Sequence, residues 1–434
     1  MKTAGSQHHA EHTAARTDAP HQPRTGSAAD PHSREGTERK GLRIGIDATC
    51  LGSGRGYGRF LRELLPPLLE DPDNEYILFV DSHTAEQLDP LPARCVTPST
   101  SQAQGDAASA RGQRKLGDMW RMGRAVANEQ LDVMYFPSVY SYYPVPGSTP
   151  VAVAFHDVIA ERHGAIVFPT RWNRWMWGAK ARLARRRARA LITVSEWSRR
   201  ALSELFGTPI DEIYVTLEAP SPAFRPALET ETRRHWLKDR DLPEDADYFI
   251  FVGGFNPHKN LPALIDCFAE VAQTRPNLHL ILVGDYEGDV FHIDVEALLA
   301  RIAMHGLERR AILAGFVPDE ALRHLFTGAR ALVIPSLEEG FGLPAVEAAA
   351  CGTPCIATTQ SPLPELLEGG GLFVDPDDRA GLTRAMAQLA DDEEARRALG
   401  AAALECAGAL SWRATAEATR KALTAVATQR GWWR

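Results

Sequence analysis

A chain of 434 residues is long enough for two or three domains of about 150 residues each, and 44% hydrophobic with 24% charged residues is the composition of a soluble globular protein. The net charge of −8, from 48 basic against 56 acidic side chains, excludes a general nucleic-acid binder. No apolar run approaches the roughly 20 residues of a membrane helix, no apolar leader opens the chain, and six scattered cysteines are too few for a disulfide framework, so a reducing, cytoplasmic setting is expected.

Residues 1–40 contain no Leu, Ile, Val, Phe, Tyr or Trp, and are expected to be a disordered tail with nothing to bury. Short apolar runs then alternate with helical patterns. Residues 42–48, 76–80, 131–136, 151–155, 190–194 and 213–217 read as strands, with amphipathic stretches at 57–69, 115–128 and 171–189 between them. This is the βα rhythm of a parallel sheet, and residues 41–225 are assigned to a first Rossmann-like domain. Residues 98–113 read as a surface loop. Pro220, Pro222 and Pro226, followed by the strongly charged stretch 230–247, mark a boundary.

The rhythm restarts with strands at 248–252, 278–283, 311–314, 331–334, 354–357 and 372–374, and helices at 261–272, 318–326 and 343–350. Residues 245–408 are assigned to a second Rossmann-like domain, and 409–434 to a C-terminal helix and tail with Ser411 as N-cap. The expected class is α/β, with two doubly wound sheets facing a cleft at the carboxyl ends of their strands. Cys351 and Cys355 stand four apart, but no second pair or nearby His completes a zinc site. Two buried thiols are the favoured reading.

Four segments carry chemistry. Residues 335–347, PSLEEGFGLPAVE, follow a strand and open a helix. Gly340 and Gly342 allow a sharp turn, and the N–H groups of the helix start favour an anion. Glu339 before the turn and Glu347 one turn beyond it suit a ligand with a diphosphate centre and hydroxyls at both ends. The plainer reading is a glycine-rich loop and a solvated helix. Residues 251–260, FVGGFNPHKN, also run from strand to helix and place Lys259 at the cleft as a phosphate-neutralising charge or a solvated surface lysine. His156 ends a strand, where it contacts a ligand or simply packs. Residues 51–58, LGSGRGYG, lack the third glycine of a dinucleotide fingerprint and read as an anion-facing loop.

With these segments in view, the chain resembles the family-4 retaining glycosyltransferases. Glu339 and Glu347, with seven residues between them that include a Gly-Phe-Gly-Leu-Pro core, are similar to that family's signature, and 252–261 resembles its donor-phosphate segment. His156 with Asp157, residues 192–195 and residues 410–412 resemble further landmarks. The resemblance implies GT-B architecture, a nucleotide-sugar donor, a glycan or lipid-linked acceptor and a C-terminal helix crossing back to the first domain. It implies that Glu347 holds the donor ribose and Glu339 the transferred sugar. Lys259 and the N–H groups of Phe341, Gly342 and Leu343 would neutralise the diphosphate. His156 would contact the sugar from the opposite domain, the loop at Gly54 and Arg55 would close over the phosphates, and the backbone near Val317 would line the base slot.

Gly254 stands where many family members have Arg, so Lys259 lacks that partner. The Gly-Gly-Phe-x-Pro version resembles a branch rich in mannosyl- and other hexosyltransferases of surface polysaccharides, which implies mannose as the donor sugar. No Asp-x-Asp lies in the cleft-facing segments, so neither metal nor other cofactor is expected, and transfer would retain the anomeric configuration. The alternatives are a sugar-nucleotide epimerase on the same fold and a non-catalytic nucleotide-sugar-binding protein. A last expectation concerns 171–189, where Trp172, Trp175, Met176, Ala179 and Leu183 share one helical face and Arg174, Arg182, Arg185, Arg186 and Arg189 crowd the others. This helix either contacts an anionic membrane peripherally, at the inner face of the plasma membrane, or packs its stripe on the sheet.

Overall fold

The computed structural model describes residues 41–86, 93–102, 115–228, 230–285 and 295–428. The tail expected over 1–40 and the terminal residues 429–434 lie outside them, as do residues 103–113 of the expected surface loop.

Among the described residues, the first sheet has seven strands in the order β3-β2-β1-β4-β5-β6-β7. They are β1 (Arg43–Asp47), β2 (Glu75–Phe79), β3 (Arg94–Val96), β4 (Val133–Phe136), β5 (Val151–Ala154), β6 (Ala190–Thr193) and β7 (Ile213–Val215). The second has six in the order β10-β9-β8-β11-β12-β13. These are β8 (Asp247–Val252), β9 (Leu278–Val283), β10 (Ala311–Gly315), β11 (Ala331–Ile334), β12 (Cys355–Thr358) and β13 (Gly371–Val374). Every described pairing is parallel. The central strands β4, β5, β6, β9, β11 and β12 are buried along their whole length, which is why they read as continuous apolar runs. Strand order reverses between β1 and β4, and again between β8 and β11; ligands of open α/β sheets bind at such points. We call the two sheets with their helices the first and second lobes.

The sequence pattern missed several elements. β3 is a three-residue edge strand with Arg94 and Cys95 exposed, so it carries no apolar run. The Glu231–Lys238 helix buries only Leu237 within the charged stretch. The Arg379–Asp391 and Glu393–Gly408 helices are capped by the side chains of Asp378 and Asp392. They are rich in alanine, whose small side chains blur an apolar stripe.

The Trp412–Thr428 helix lies against the Gly56–Leu69 helix of the first lobe. Ser411 Oγ accepts from Ala414 N at 3.2 Å, the bond of an N-cap. Trp412 meets the Phe60 ring edge-on at 5.7 Å, and Thr415 Oγ1 donates to Leu217 O at 2.5 Å. The Trp412–Thr428 helix therefore returns to the lobe in which the described part of the chain begins.

The Arg171–Arg187 helix departs from the packed-stripe alternative. Its buried residues are Ala181 and Ala184, whereas Trp172, Trp175, Met176 and Leu183 are exposed. Trp172 and Trp175 stack on each other at 5.0 Å. The helix docks through its small residues and through Trp177, which lies against Tyr140 at 4.6 Å and donates Nε1 to Glu161 at 2.8 Å. No helix among the described residues is long and apolar enough to cross a membrane.

Candidate active site

At the switch point of the second lobe, β8 and β11 run side by side and two glycine-bearing loops leave from their carboxyl ends. After β8, Gly253 takes a φ of 152°, a backbone that favours glycine, and Gly254 follows. The turn Pro257–Lys259 and a left-handed Asn260 then open the Leu261–Ala272 helix. Asn260 Nδ2 donates to Pro335 O at 3.2 Å, and Leu337 N donates to His258 O at 2.8 Å. These bonds stitch the two loops together and bring Lys259 to Glu339. Lys259 Nζ lies 2.7 and 3.0 Å from the two carboxylate oxygens, and Ser336 Oγ donates to the nearer one at 2.5 Å.

Gly342, with a φ of 87°, is the N-cap of the Leu343–Ala350 helix, and no side chain caps that start. An uncapped helix start offers N–H groups and a positive dipole end to an anion. Phe341 and Leu343, on either side of Gly342, bury their side chains and fix the turn.

Glu347, one turn into this helix, is buried, and Arg59 reaches it from the first lobe. Arg59 Nε lies 2.9 Å from Glu347 Oε1, yet neither atom has a partner aligned for a hydrogen bond. The other guanidinium nitrogens hold Asp319 in a two-pronged grip at 3.2 and 2.7 Å. Burial pushes the Glu347 carboxyl up to about 8; Arg59 pulls it down, while Asp319, Glu218 and Glu63 push it up.

From the first lobe, His156 follows β5 and is held at both ring nitrogens. Nε2 lies 2.8 Å from Pro137 O, and Nδ1 lies 3.2 Å from Glu218 Oε1. Burial acts to lower its pKa, but the hydrogen bond and charge of Glu218 outweigh that and raise it. At Gly340 the backbones of the two lobes come close together. Ser195 Oγ donates to Gly340 O at 2.6 Å, and Ser198 Oγ lies 2.9 Å from His156 O and 3.2 Å from Gly340 O. Beside it, Glu338 points to Arg162 Nη1 at 2.7 Å and His163 Nε2 at 3.2 Å, both from the first lobe.

Tertiary structure thus brings Lys259 and Glu339 into direct contact, with His156 facing their loop through its backbone. Glu347 stands apart from that pair, under Arg59. Val317 is buried just beyond β10, beside the exposed Phe316. Gly54 is exposed in the turn before the Gly56–Leu69 helix, and Arg55 is the residue at that helix's N-cap position. Arg59, Asp319, Glu218, Glu338, Arg162 and His163 carried no signal in the sequence. Each partners a residue distant in the chain, and a lone polar or charged side chain in a sequence reads as solvated.

Comparison with known proteins follows this geometry. Residues 77–216 match the family described as Glycosyltransferase Family 4, and residues 232–405 match Glycosyl transferases group 1. The chain belongs to the family-4 glycosyltransferases. Among curated proteins it is 33% identical over 228 residues to an O-antigen chain mannosyltransferase B of Escherichia coli, covering 52% of this chain and 58% of the relative. It is 32% identical over 202 residues to a D-inositol 3-phosphate glycosyltransferase of Corynebacterium jeikeium, covering 46% of this chain and 48% of the relative, so the chain spans about half the length of the curated relatives it matches. Among solved structures, sucrose-phosphate synthase from Thermosynechococcus elongatus superposes with a TM-score of 0.69 at 18% identity, covering 88% of this chain and 98% of that one. Anabaena HepE in complex with UDP and glucose superposes with a TM-score of 0.68 at 18% identity, covering 88% and 100%. The fold is GT-B, the two-lobed architecture of these glycosyltransferases.

Proposed function

We propose that this family-4 chain is a retaining hexosyltransferase that moves mannose from a nucleotide sugar to a glycan or lipid-linked acceptor. The observation that carries the reading is the Lys259–Glu339 pair beside the uncapped start of the Leu343–Ala350 helix. A diphosphate competes with Glu339 for Lys259 and takes the N–H groups of Phe341, Gly342 and Leu343. Glu339, released, turns to hydroxyls of the sugar. Glu347 accepts the ribose hydroxyls, and the backbone at Val317 lines the base. Gly54 and Arg55 close over the phosphates, and Gly254 leaves room beside them.

Glycosyl transfer develops negative charge on the leaving diphosphate and positive charge on the sugar. Fixed dipoles and a cation in a cleft that excludes water stabilise the former. The acceptor hydroxyl attacks on the leaving-group face and its proton passes to the diphosphate, so no protein base is assigned. His156 bears on the sugar from the first lobe. Residues 41–225 serve the acceptor, residues 245–408 the donor, and 409–434 cross back between them.

The mannose reading is supported by the O-antigen mannosyltransferase relative, and the nucleotide donor by the UDP-bound HepE fold neighbour. The exposed Trp172, Trp175, Met176 and Leu183, interleaved with Arg171, Arg174, Arg182 and Arg186, support peripheral attachment to an anionic membrane on its cytoplasmic face. The test is turnover of GDP-mannose and UDP-glucose with excess EDTA, followed by NMR of the product anomer. Retained configuration and undiminished turnover are expected; an inverted product overturns the retaining assignment, and loss of turnover in EDTA overturns the metal-free account of the diphosphate.

A further inference from the structure

The carboxylate assigned to the donor ribose is shielded from solvent. Its side chain is 3% exposed, and a guanidinium from the other lobe covers it at 2.9 Å. The same guanidinium grips Asp319, which opens the helix just after Val317, where the base is placed. Arg59 lies against the Phe224 ring at 5.2 Å and is itself less than a quarter exposed, so it is held rather than waving in solvent.

One residue of the first lobe thus touches both elements of the second lobe that read the nucleoside. Resting on the function proposed above, we infer that Arg59 is a positioning residue which draws Glu347 towards its charged, ribose-accepting form and aligns it with the base loop, so that nucleoside recognition depends on a group from the opposite lobe.

The chemistry requires this. A carboxylate accepts hydrogen bonds from both ribose hydroxyls; a protonated carboxyl must give up one acceptor position to its own proton. The groups facing Glu347 are Arg59 and Glu63 from the Gly56–Leu69 helix, Asp319 and Glu218, with Cys351 at the C-cap of its own helix. Three of these are acidic and one is a thiol, so Arg59 is the cation among those named. Burial and the acidic neighbours drive Glu347 towards the neutral form, and Arg59 opposes them. Its misaligned 2.9 Å contact leaves Glu347 Oε1 without a hydrogen-bond partner, ready for a ribose hydroxyl.

The experiment is calorimetric titration of the full chain with UDP and GDP, each beside its 2′,3′-dideoxy counterpart, from pH 6 to 9.5. The ratio of the two affinities isolates the ribose contribution from titration of His156 or the phosphates. In the unsubstituted protein this ratio should climb with pH through the Glu347 value of about 8 and level off above it. Arg59→Met should move the climb upward by at least about one pH unit, a loss of roughly tenfold in ribose discrimination at pH 7. Arg59→Lys, which keeps the charge, should hold the climb near its original place.

A ratio independent of pH in the unsubstituted protein overturns the inference, even if Arg59→Met fails to fold. An undisplaced climb in Arg59→Met, or Arg59→Lys behaving like Arg59→Met, overturns it as well. Binding of neither nucleotide overturns instead the function on which the inference rests.

Discussion

Lys259 and Glu339 neutralise each other at the cleft, each serving as the other's counter-ion. Lys259→Ala removes a charge-assisted contact and leaves Glu339, 8% exposed, without its cation. The expected loss in kcat/KM for the donor is about 10- to 150-fold, from the roughly 1.5–3 kcal/mol of such a bond. A change below about threefold argues against the phosphate role. His156 offers a second test. Its folded-state pKa is raised, so the Glu218 contact contributes stability that is fully present below the ordinary imidazole pKa and fades as pH rises through the folded value. Glu218→Gln should therefore lower the melting temperature more at pH 5.5 than at pH 9. An equal drop at both would assign the loss to packing alone.

The Arg171–Arg187 helix turns two tryptophans, a methionine and a leucine outward, and single exposed apolar residues are ordinary whereas a row of them is not. Replacing Trp172 and Trp175 by Ser together should leave the melting temperature nearly unchanged, because both are more than half exposed. It should abolish co-sedimentation with anionic liposomes. Binding by the unsubstituted protein that is indifferent to lipid charge would dispose of the membrane reading. At the other end of the chain, the Trp412–Thr428 helix depends on an anchor that is 7% exposed. Trp412→Ala should cost about 3–5 kcal/mol in a denaturant melt, since it empties the space beside Phe60.

Across the whole molecule, closure is set by a backbone contact. A Cβ at Gly340 would stand 2.5 Å from His156 O and 2.8 Å from Asp157 Cβ, so Gly340→Ala must part the lobes at this contact. Small-angle scattering should report a larger radius of gyration. Turnover should fall by up to about 100-fold, the scale of a misplacement near 1 Å between reacting groups. Unchanged scattering with full turnover would show that the lobes do not work from this closed arrangement. Arg59 with Glu347 and Asp319, and Arg162 with Glu338, add charge pairs across the same cleft, and His163 adds a polar contact to Glu338.

The α/β class, most strands and the helices at 261–272 and 343–350 were legible in the sequence, because strands buried on both faces must be apolar throughout and the helices between them amphipathic. Glycine-rich turns at strand ends were legible because only glycine takes the backbone of Gly253 and Gly342 without strain. The edge strand β3, the alanine-rich helices near the C-terminus and the outward stripe of the Arg171–Arg187 helix were not, because a pattern of apolar spacing does not say which face a neighbour covers. Charge pairing was decided by tertiary structure alone. That Lys259 answers Glu339, that Glu218 holds His156, and that Arg59 covers Glu347 depend on loops and lobes converging from distant parts of the chain. Local sequence specifies a residue's charge, but its partner and its exposure to water, which together set what that charge can do, exist only once the cleft has formed.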